Sequence, residues 1–274
     1  MRTVKKQWEM VIFDLDGTVL RSDKTISSRF QTAITLAVNK GIKFAFATGR
    51  TLENVINLIN TIPAMPADAY IIACNGALIW QRDDNKIIRS VLLAQKDITI
   101  INDFAAQINT PCFIIDNQAL STPFNEISAI NINCYSALTV KTSGIDWNNP
   151  QLTAPKMMFI ASDKEIDDIQ RKIPFSLSES YHFVRSEPSY LEVMKKDVHK
   201  GAASHYLSEY LNILPSRIIA VGDEYNDVEM LKFAGLGVAM GNARLEIQKL
   251  ADWVTLTNDN EGAAYVIEHW ILQK

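Results

Sequence analysis

The apolar run Met10-Val11-Ile12-Phe13 stops abruptly at Asp14-Leu15-Asp16-Gly17-Thr18, and this junction limits what the chain can fold into. A continuous apolar run of that length fits a strand buried on both faces, which demands helices packed on either side. Charge at the carboxyl end of such a strand is costly to bury unless it is paired or bound, and in open α/β sheets that end is where ligands sit. The pattern recurs. Ile42-Lys43-Phe44-Ala45-Phe46-Ala47 ends at Thr48-Gly49-Arg50, and Tyr70-Ile71-Ile72-Ala73-Cys74 runs into Asn75-Gly76-Ala77. Further on, Ile218-Ile219-Ala220-Val221 ends at Gly222-Asp223-Glu224-Tyr225-Asn226-Asp227. Between the early runs stand helical patterns: Phe30, Ile34, Ala37 and Val38 behind a Ser27-Ser28 cap and before Gly41, then Leu52, Val55, Ile56 and Ile59. Alternating elements with apolar strands predict an α/β fold, a doubly wound, Rossmann-like parallel sheet.

The character changes near Gln81-Arg82-Asp83-Asp84-Asn85-Lys86, beyond which strands are shorter and more alternating. A helix is expected around Ile98, Ile101, Ala105 and Ile108, with strands at 112–115, 129–133, 157–161 and 182–185. A turn-rich stretch at 143–150 and a helix through Ile166, Ile169 and Ile173 lie among them. Alternation such as Ile130 and Ile132 against Asn131 and Asn133 fits a sheet with one solvated face. We therefore expect an α+β domain at 84–186 inserted into a core formed by 1–83 and 187–274, with Leu191-Glu192-Val193-Met194 as the strand that resumes the core.

The 274 residues, 47% hydrophobic and 21% charged, suffice for one large or two moderate domains. A formal net charge of -4 opposes broad nucleic-acid or anionic-membrane binding, which needs basic surface. No apolar run has the length of a membrane span and the N-terminus lacks a secretory pattern, so a cytoplasmic location is expected. Cys74, Cys112 and Cys134 form no Cys-x-x-Cys pair, and His182, His199, His205 and His269 have no metal-ligand spacing; all are read as structural.

Asp14 and Asp16 are two apart, so in extended backbone both lean toward one face, and Gly17 permits a sharp exit from the strand. Two anions held close repel unless a cation or a shared proton intervenes, and hard oxygen ligands suit Mg²⁺. Asp223 and Asp227 supply a second acidic cluster behind another strand; Thr48-Gly49 offers a hydroxyl and an amide at a helix start, a ready anion site. Taken singly, each of these also fits an ordinary helix cap or solvated turn, and Lys200, beside Lys195 and Lys196, fits a solvated basic face.

In order, Asp14-Leu15-Asp16-Gly17-Thr18, Thr48-Gly49-Arg50, Lys200-Gly201 and Gly222-Asp223-x-x-Asn226-Asp227 closely resemble the haloacid dehalogenase superfamily of phosphohydrolases. Asn75-Gly76-Ala77, the large insertion, and Gly237-Val238-Ala239-Met240-x-Asn242-Ala243 resemble its Cof-like branch. The resemblance implies a Mg²⁺-dependent phosphatase of small phosphorylated metabolites, sugar phosphates above all. It implies Asp14 as the nucleophile that becomes an aspartyl-phosphate and Asp16 as the acid/base. It also implies Mg²⁺ held by Asp14, the carbonyl of Asp16 and Asp223, with Asp227 in support, and a phosphate cradle of Thr48, Lys200, Asn226 and the amides of Leu15 and Gly49. Arg50 and Asn75 are expected near the cap or the leaving group, and the insertion is expected to be a mobile cap that excludes water and reads the substrate. Two departures stand out: His199 replaces the usual small residue before the lysine, and Glu261-Gly262 replaces the common Asp-Gly. A phosphotransferase or phosphomutase could use the same intermediate. A phospho-acceptor signalling module also uses acidic residues, Mg²⁺, Thr and Lys, but there the acceptor follows the third strand and no cap is present. Oligomeric state is not encoded in any of these motifs.

Overall fold

The computed structural model describes residues 8–115, 119–123, 139–141 and 144–273. The chain divides into two compact units, one running to Arg89 and resuming at His199, the other comprising Ser90–Val198. The expected boundaries after 83 and 186 thus fall a few residues further on at the first crossing and twelve further on at the second, where 186 becomes 198. The strand expected at 129–133, Cys134 and the start of the 143–150 turn lie outside the described residues.

The first unit opens with β1 (Met10–Asp14), α1 (Ser28–Val38), β2 (Lys43–Ala47), α2 (Leu52–Asn60) and β3 (Tyr70–Ala73). Ser27 caps α1 as expected, its Oγ accepting the Phe30 amide hydrogen at 3.0 Å. A hairpin follows, β4 (Leu78–Gln81) and β5 (Lys86–Ser90), so the polar stretch at 81–86 turns inside this unit instead of ending it.

In the second unit come β6 (Leu93–Ala94), α3 (Gln95–Gln107), β7 (Cys112–Ile115), β8 (Ala119–Ser121), β9 (Thr139–Lys141) and β10 (Thr153–Ala154). They are followed by β11 (Met157–Ile160), α4 (Asp163–Lys172), α5 (Phe175–Ser180), β12 (Tyr181–Glu187) and β13 (Tyr190–Lys195). Its larger sheet has the order β12-β13-β11-β7-β8-β9. Leu191–Met194 therefore does not resume the core: β13 is the return arm of a hairpin with β12 and also pairs antiparallel with β11.

The first unit then completes itself with α6 (Lys200–Tyr210), β14 (Ile218–Gly222), α7 (Val228–Phe233), β15 (Leu236–Ala239), α8 (Leu245–Leu250), β16 (Trp253–Val254) and α9 (Gly262–Val266), which continues through Ile267–Leu272. Its eight strands are ordered β16-β15-β14-β1-β2-β3-β4-β5, parallel from β16 to β3, with β4 antiparallel to β3. Successive strand side chains point to opposite faces. Val11, Phe13, Phe44, Phe46 and Ile71 accordingly pack against α1, α2 and the C-terminal helix, while Met10, Ile12, Ala45, Ile72 and Ala220 pack against α6 and α7. Full burial of a side chain such as Phe13, which meets the Phe30 ring edge-on at 5.3 Å, is worth roughly 1.5–3 kcal/mol. Register fixes the consequence for function. Phe13 lies beside Val221, Asp14 beside Ala47, and Ala47 beside Ile72, so the four polar strand ends emerge along one sheet edge.

Candidate active site

Asp14, Asp223 and Asp227 lie at that edge, with one carboxylate oxygen from each within 4.8 Å of the others. Lys200, the first residue of α6, reaches in with its Nζ 2.6 Å from Asp14 Oδ1 and 2.6 Å from Asp227 Oδ1. All four are buried, Lys200 to within 1% of full burial, so when all three carboxylates are ionised the one ammonium leaves two negative charges uncompensated. Burial pushes the Asp14 carboxyl well above its usual range, and Asp227 and Asp223 push the same way against the pull of Lys200. Asp223 is pushed up to about 7 by burial and by Asp227. Lys200, although burial opposes its charge, is held protonated by Asp14 and Asp227. This donor set fits a hard divalent cation: clustered carboxylates with an unmet charge of that size are what Mg²⁺ neutralises.

The carboxylates differ in how far they are already engaged. Asp227 accepts Lys200 on Oδ1 and the amide hydrogens of Asp223 and Glu224 on Oδ2, at 2.9 and 3.0 Å. Asp223 accepts the Thr18 hydroxyl at 3.1 Å and the Asn242 amide at 3.2 Å, and Asn242 also donates to the Gly17 carbonyl at 2.9 Å. Gly17, at φ +80°, is what lets these loops meet, because a Cβ there would stand 2.3 Å from Asp223 Oδ2.

Asp16 has a different setting. Its side chain is 39% exposed and gripped by Arg50, Nε at 2.7 Å from Oδ2 and Nη2 at 2.6 Å from Oδ1, with Lys24 Nζ at 3.1 Å. Burial works against the charged form here too, but Arg50 and then Lys24 outweigh it and hold the carboxyl below its ordinary range.

Of the expected phosphate cradle, Thr48 is buried and its Oγ1 accepts the Arg50 amide hydrogen at 3.1 Å. Leu15 is buried and its carbonyl accepts the amide hydrogens of Thr18 and Leu20, tightening the turn after β1. Asn226 donates from Nδ2 to Asn75 Oδ1 at 3.0 Å, and Asn75 in turn lies against Gly49. Two departures now have local roles. The His199 ring caps α6, its Nδ1 accepting the Ala202 amide hydrogen at 3.2 Å, and Glu261 binds Arg21 and Ser27, tying the loop after β1 to the start of α9. Lys24 and the amide of Asn242 escaped the sequence reading; Asn242 stood in a quoted motif without a role, and Lys24 gave no signal.

The haloacid dehalogenase-like hydrolase family matches residues 11–267, nearly the whole chain. The chain belongs to this family. Among relatives of these haloacid dehalogenase-like hydrolases, 5-amino-6-(5-phospho-D-ribitylamino)uracil phosphatase YcsE of Bacillus subtilis is 29% identical over 96% of this chain and 96% of its own length. Phosphatase YwpJ, also of Bacillus subtilis, is 27% identical over 95% of this chain and 99% of its own. BT1666 of Bacteroides thetaiotaomicron, a phosphatase of the HAD superfamily, superposes with a TM-score of 0.84 at 26% identity, covering 98% of this chain and 97% of that one. The doubly wound α/β core of a haloacid dehalogenase-like hydrolase is thereby established, and the chain is a phosphoric monoester hydrolase. Among the described residues, no helix is long and apolar enough to cross a membrane.

Proposed function

We propose that the protein is a Mg²⁺-dependent phosphatase of small phosphorylated metabolites, sugar and polyol phosphates foremost, working through an aspartyl-phosphate on Asp14. The carrying observation is the buried Asp14–Lys200–Asp227 chain beside Asp223, with its two unmet negative charges. Asp14 and Asp223 would hold the metal, aided by the Asp16 carbonyl, with Asp227 supporting through its fixed contacts. When bound, Mg²⁺ supplies the positive charge that lets an anionic nucleophile approach an anionic phosphoryl group.

The chain's own residues then divide the work. An Asp14 carboxylate oxygen bonds to phosphorus as the ester P–O bond breaks, and the departing alkoxide takes a proton from Asp16. Asp16 next removes a proton from water, whose oxygen attacks phosphorus and frees both inorganic phosphate and the Asp14 carboxylate. Lys200, Thr48, Asn226 and the amides of Leu15 and Gly49 stabilise charge on the transferring group. Arg50 and Lys24 keep Asp16 ionised in the arrangement seen, so both giving a proton to the leaving group and taking one from water require them to withdraw. Selection among esters is assigned to the inserted unit. YcsE, whose named substrate carries a 5-phospho-D-ribityl group, supports a phosphorylated polyol or sugar as the class.

The test is release of inorganic phosphate from a panel of phosphorylated metabolites with Mg²⁺ and no added acceptor. Multiple turnovers are expected, abolished by Asp14→Asn and reversibly by chelation. Little free phosphate alongside a newly phosphorylated product would indicate a phosphotransferase or phosphomutase, a single equivalent would indicate a signalling module, and full turnover by Asp14→Asn would remove the nucleophile assignment.

A further inference from the structure

Directly after β3 the backbone does something rare: Cys74, Asn75 and Gly76 all have positive φ, at 50°, 53° and 106°. Residues with a Cβ seldom enter this region, asparagine tolerating it best, and several in a row persist only where the surroundings impose them. Here the impositions are visible. The Cys74 amide donates to the Arg50 carbonyl at 2.9 Å, and the Asn75 amide to the Thr48 carbonyl at 2.9 Å. A Cβ on Gly76 would come within 2.6 Å of the His199 carbonyl oxygen, one residue before Lys200. This single turn therefore touches the loop after β2 and the start of α6 with its backbone.

The Asn75 side chain, only 1% exposed, reaches a third loop. Its Oδ1 accepts from Asn226 Nδ2 at 3.0 Å, while a Cβ built on Gly49 would stand 3.3 Å from its Nδ2 and 3.4 Å from its Oδ1. The amide is thus seated between Gly49 and Asn226. An asparagine Nδ2 carries two hydrogens, so with one given to Asn75 the other is oriented and available to an anion.

We infer that Asn75 is a positioning residue: it does not touch the substrate but sets Asn226 against the Thr48–Gly49 loop, so that the two halves of the phosphate cradle share one geometry. This assignment rests on the phosphatase reading, which places the anion against Asn226 and Gly49, and it replaces a leaving-group contact for Asn75.

The experiment compares Asn75→Gly, Asn226→Ala and their double variant, with Asn75→Ala, which keeps a Cβ at φ 53°, as the strained-backbone control. Glycine retains the left-handed backbone and removes only the amide. The readouts are kcat and KM for p-nitrophenyl phosphate with Mg²⁺, the dissociation constant of inorganic phosphate by calorimetry, and the unfolding temperature. Asn75→Gly is expected to weaken phosphate binding and lower kcat/KM roughly three- to tenfold, the loss of about one hydrogen bond, without lowering the unfolding temperature comparably to Asn75→Ala. The double variant should be no worse than Asn226→Ala alone, because the two side chains act as one. Unchanged phosphate affinity in Asn75→Gly, or losses that multiply in the double variant, would overturn the inference. Wild-type protein that binds phosphate but hydrolyses no ester would instead overturn the phosphatase reading, and the calorimetric cycle would still decide Asn75. Wild-type protein that binds no phosphate overturns both.

Discussion

Replacing Lys200 by methionine isolates the electrostatics of the site. The side chain keeps similar bulk but its charge vanishes, leaving Asp14, Asp223 and Asp227 buried with no cation among them. Each Lys200 contact, at 2.6 Å, is worth about 6 kcal/mol of Coulomb attraction at an effective dielectric of ~20. Desolvating the ammonium takes back several kcal/mol, so the net cost of removing it is about 3–5 kcal/mol, the range for breaking a buried ion pair. At roughly 2–4 °C per kcal/mol, the metal-free unfolding temperature should fall by about 6–20 °C. Calorimetry in chelator measures this directly. Mg²⁺ should then raise the unfolding temperature more in Lys200→Met than in wild type, since ionised Asp14, Asp223 and Asp227 leave two unmet charges beside Lys200 but three without it. Adding Asp14→Asn to Lys200→Met removes one stranded carboxylate and should recover part of the loss, although each change alone destabilises or inactivates. A metal-free Lys200→Met protein as stable as wild type, or a double variant showing simple additivity, would refute the charge argument.

Gly17→Ala should lose Mg²⁺ affinity and turnover together and cost about 1–3 kcal/mol of stability, because the new Cβ meets Asp223 Oδ2 at 2.3 Å and φ is +80°; metal titration by calorimetry checks it. In the second unit, Lys156 and Glu192 form an ion pair of 2.8 Å, each side chain 3% exposed. Lys156→Met should cost about 3 kcal/mol in urea unfolding, and Lys156→Met with Glu192→Leu should restore most of it; a double variant worse than the single would contradict the pairing. Asp97 is buried yet held below its ordinary pKa, because the contacts of Lys195 at 2.7 Å, the Ala94 amide at 2.8 Å and Tyr181 at 3.0 Å outweigh burial. Its folded pKa lies below the unfolded one, so its contribution is complete above the unfolded value of about 3.9 and disappears as pH falls through the folded value. Asp97→Asn should therefore lose roughly 1–3 kcal/mol at pH 7 and show a flatter acid limb in urea titrations; an acid limb identical to wild type would remove Asp97 from it.

What was legible in the sequence was whatever the strand ends encode. A buried parallel strand has nowhere to put charge except its termini, so Asp14, Thr48, Asn75 and Asp223 announced both the sheet and the edge where the site lies. Two kinds of feature did not show. Leu191–Met194 is as apolar as a core strand, and only the short Pro188-Ser189 turn separating it from β12 marks it as a hairpin arm. Periodicity could not decide between a new core strand and a hairpin partner. Contacts between loops distant in sequence were equally silent: Asn242 reaches Asp223 and Gly17 only because β15 and β14 are neighbours in the sheet, and an asparagine in a polar loop looks the same whether it holds a carboxylate or faces water.

Spacing also concealed the difference between the first two carboxylates. Two residues apart, Asp14 and Asp16 read as a pair on one face, but the fold gives them opposite electrostatics. Asp14 stays inside with β1, where burial and two other carboxylates raise its pKa and only Lys200 opposes them. Asp16 has passed the end of the strand, where Arg50 and Lys24 lower it. Two titratable groups whose surroundings push them apart are suited to different tasks, and this pair divides accordingly. In the proposed mechanism, the inner carboxylate needs added positive charge before it can act as a nucleophile, whereas the outer one, held below its ordinary range, requires release from Arg50 before it can carry a proton. The need for a metal at Asp14 and for movement of Arg50 at Asp16, as that mechanism has them, both follow from where the strand stops, one residue before Leu15.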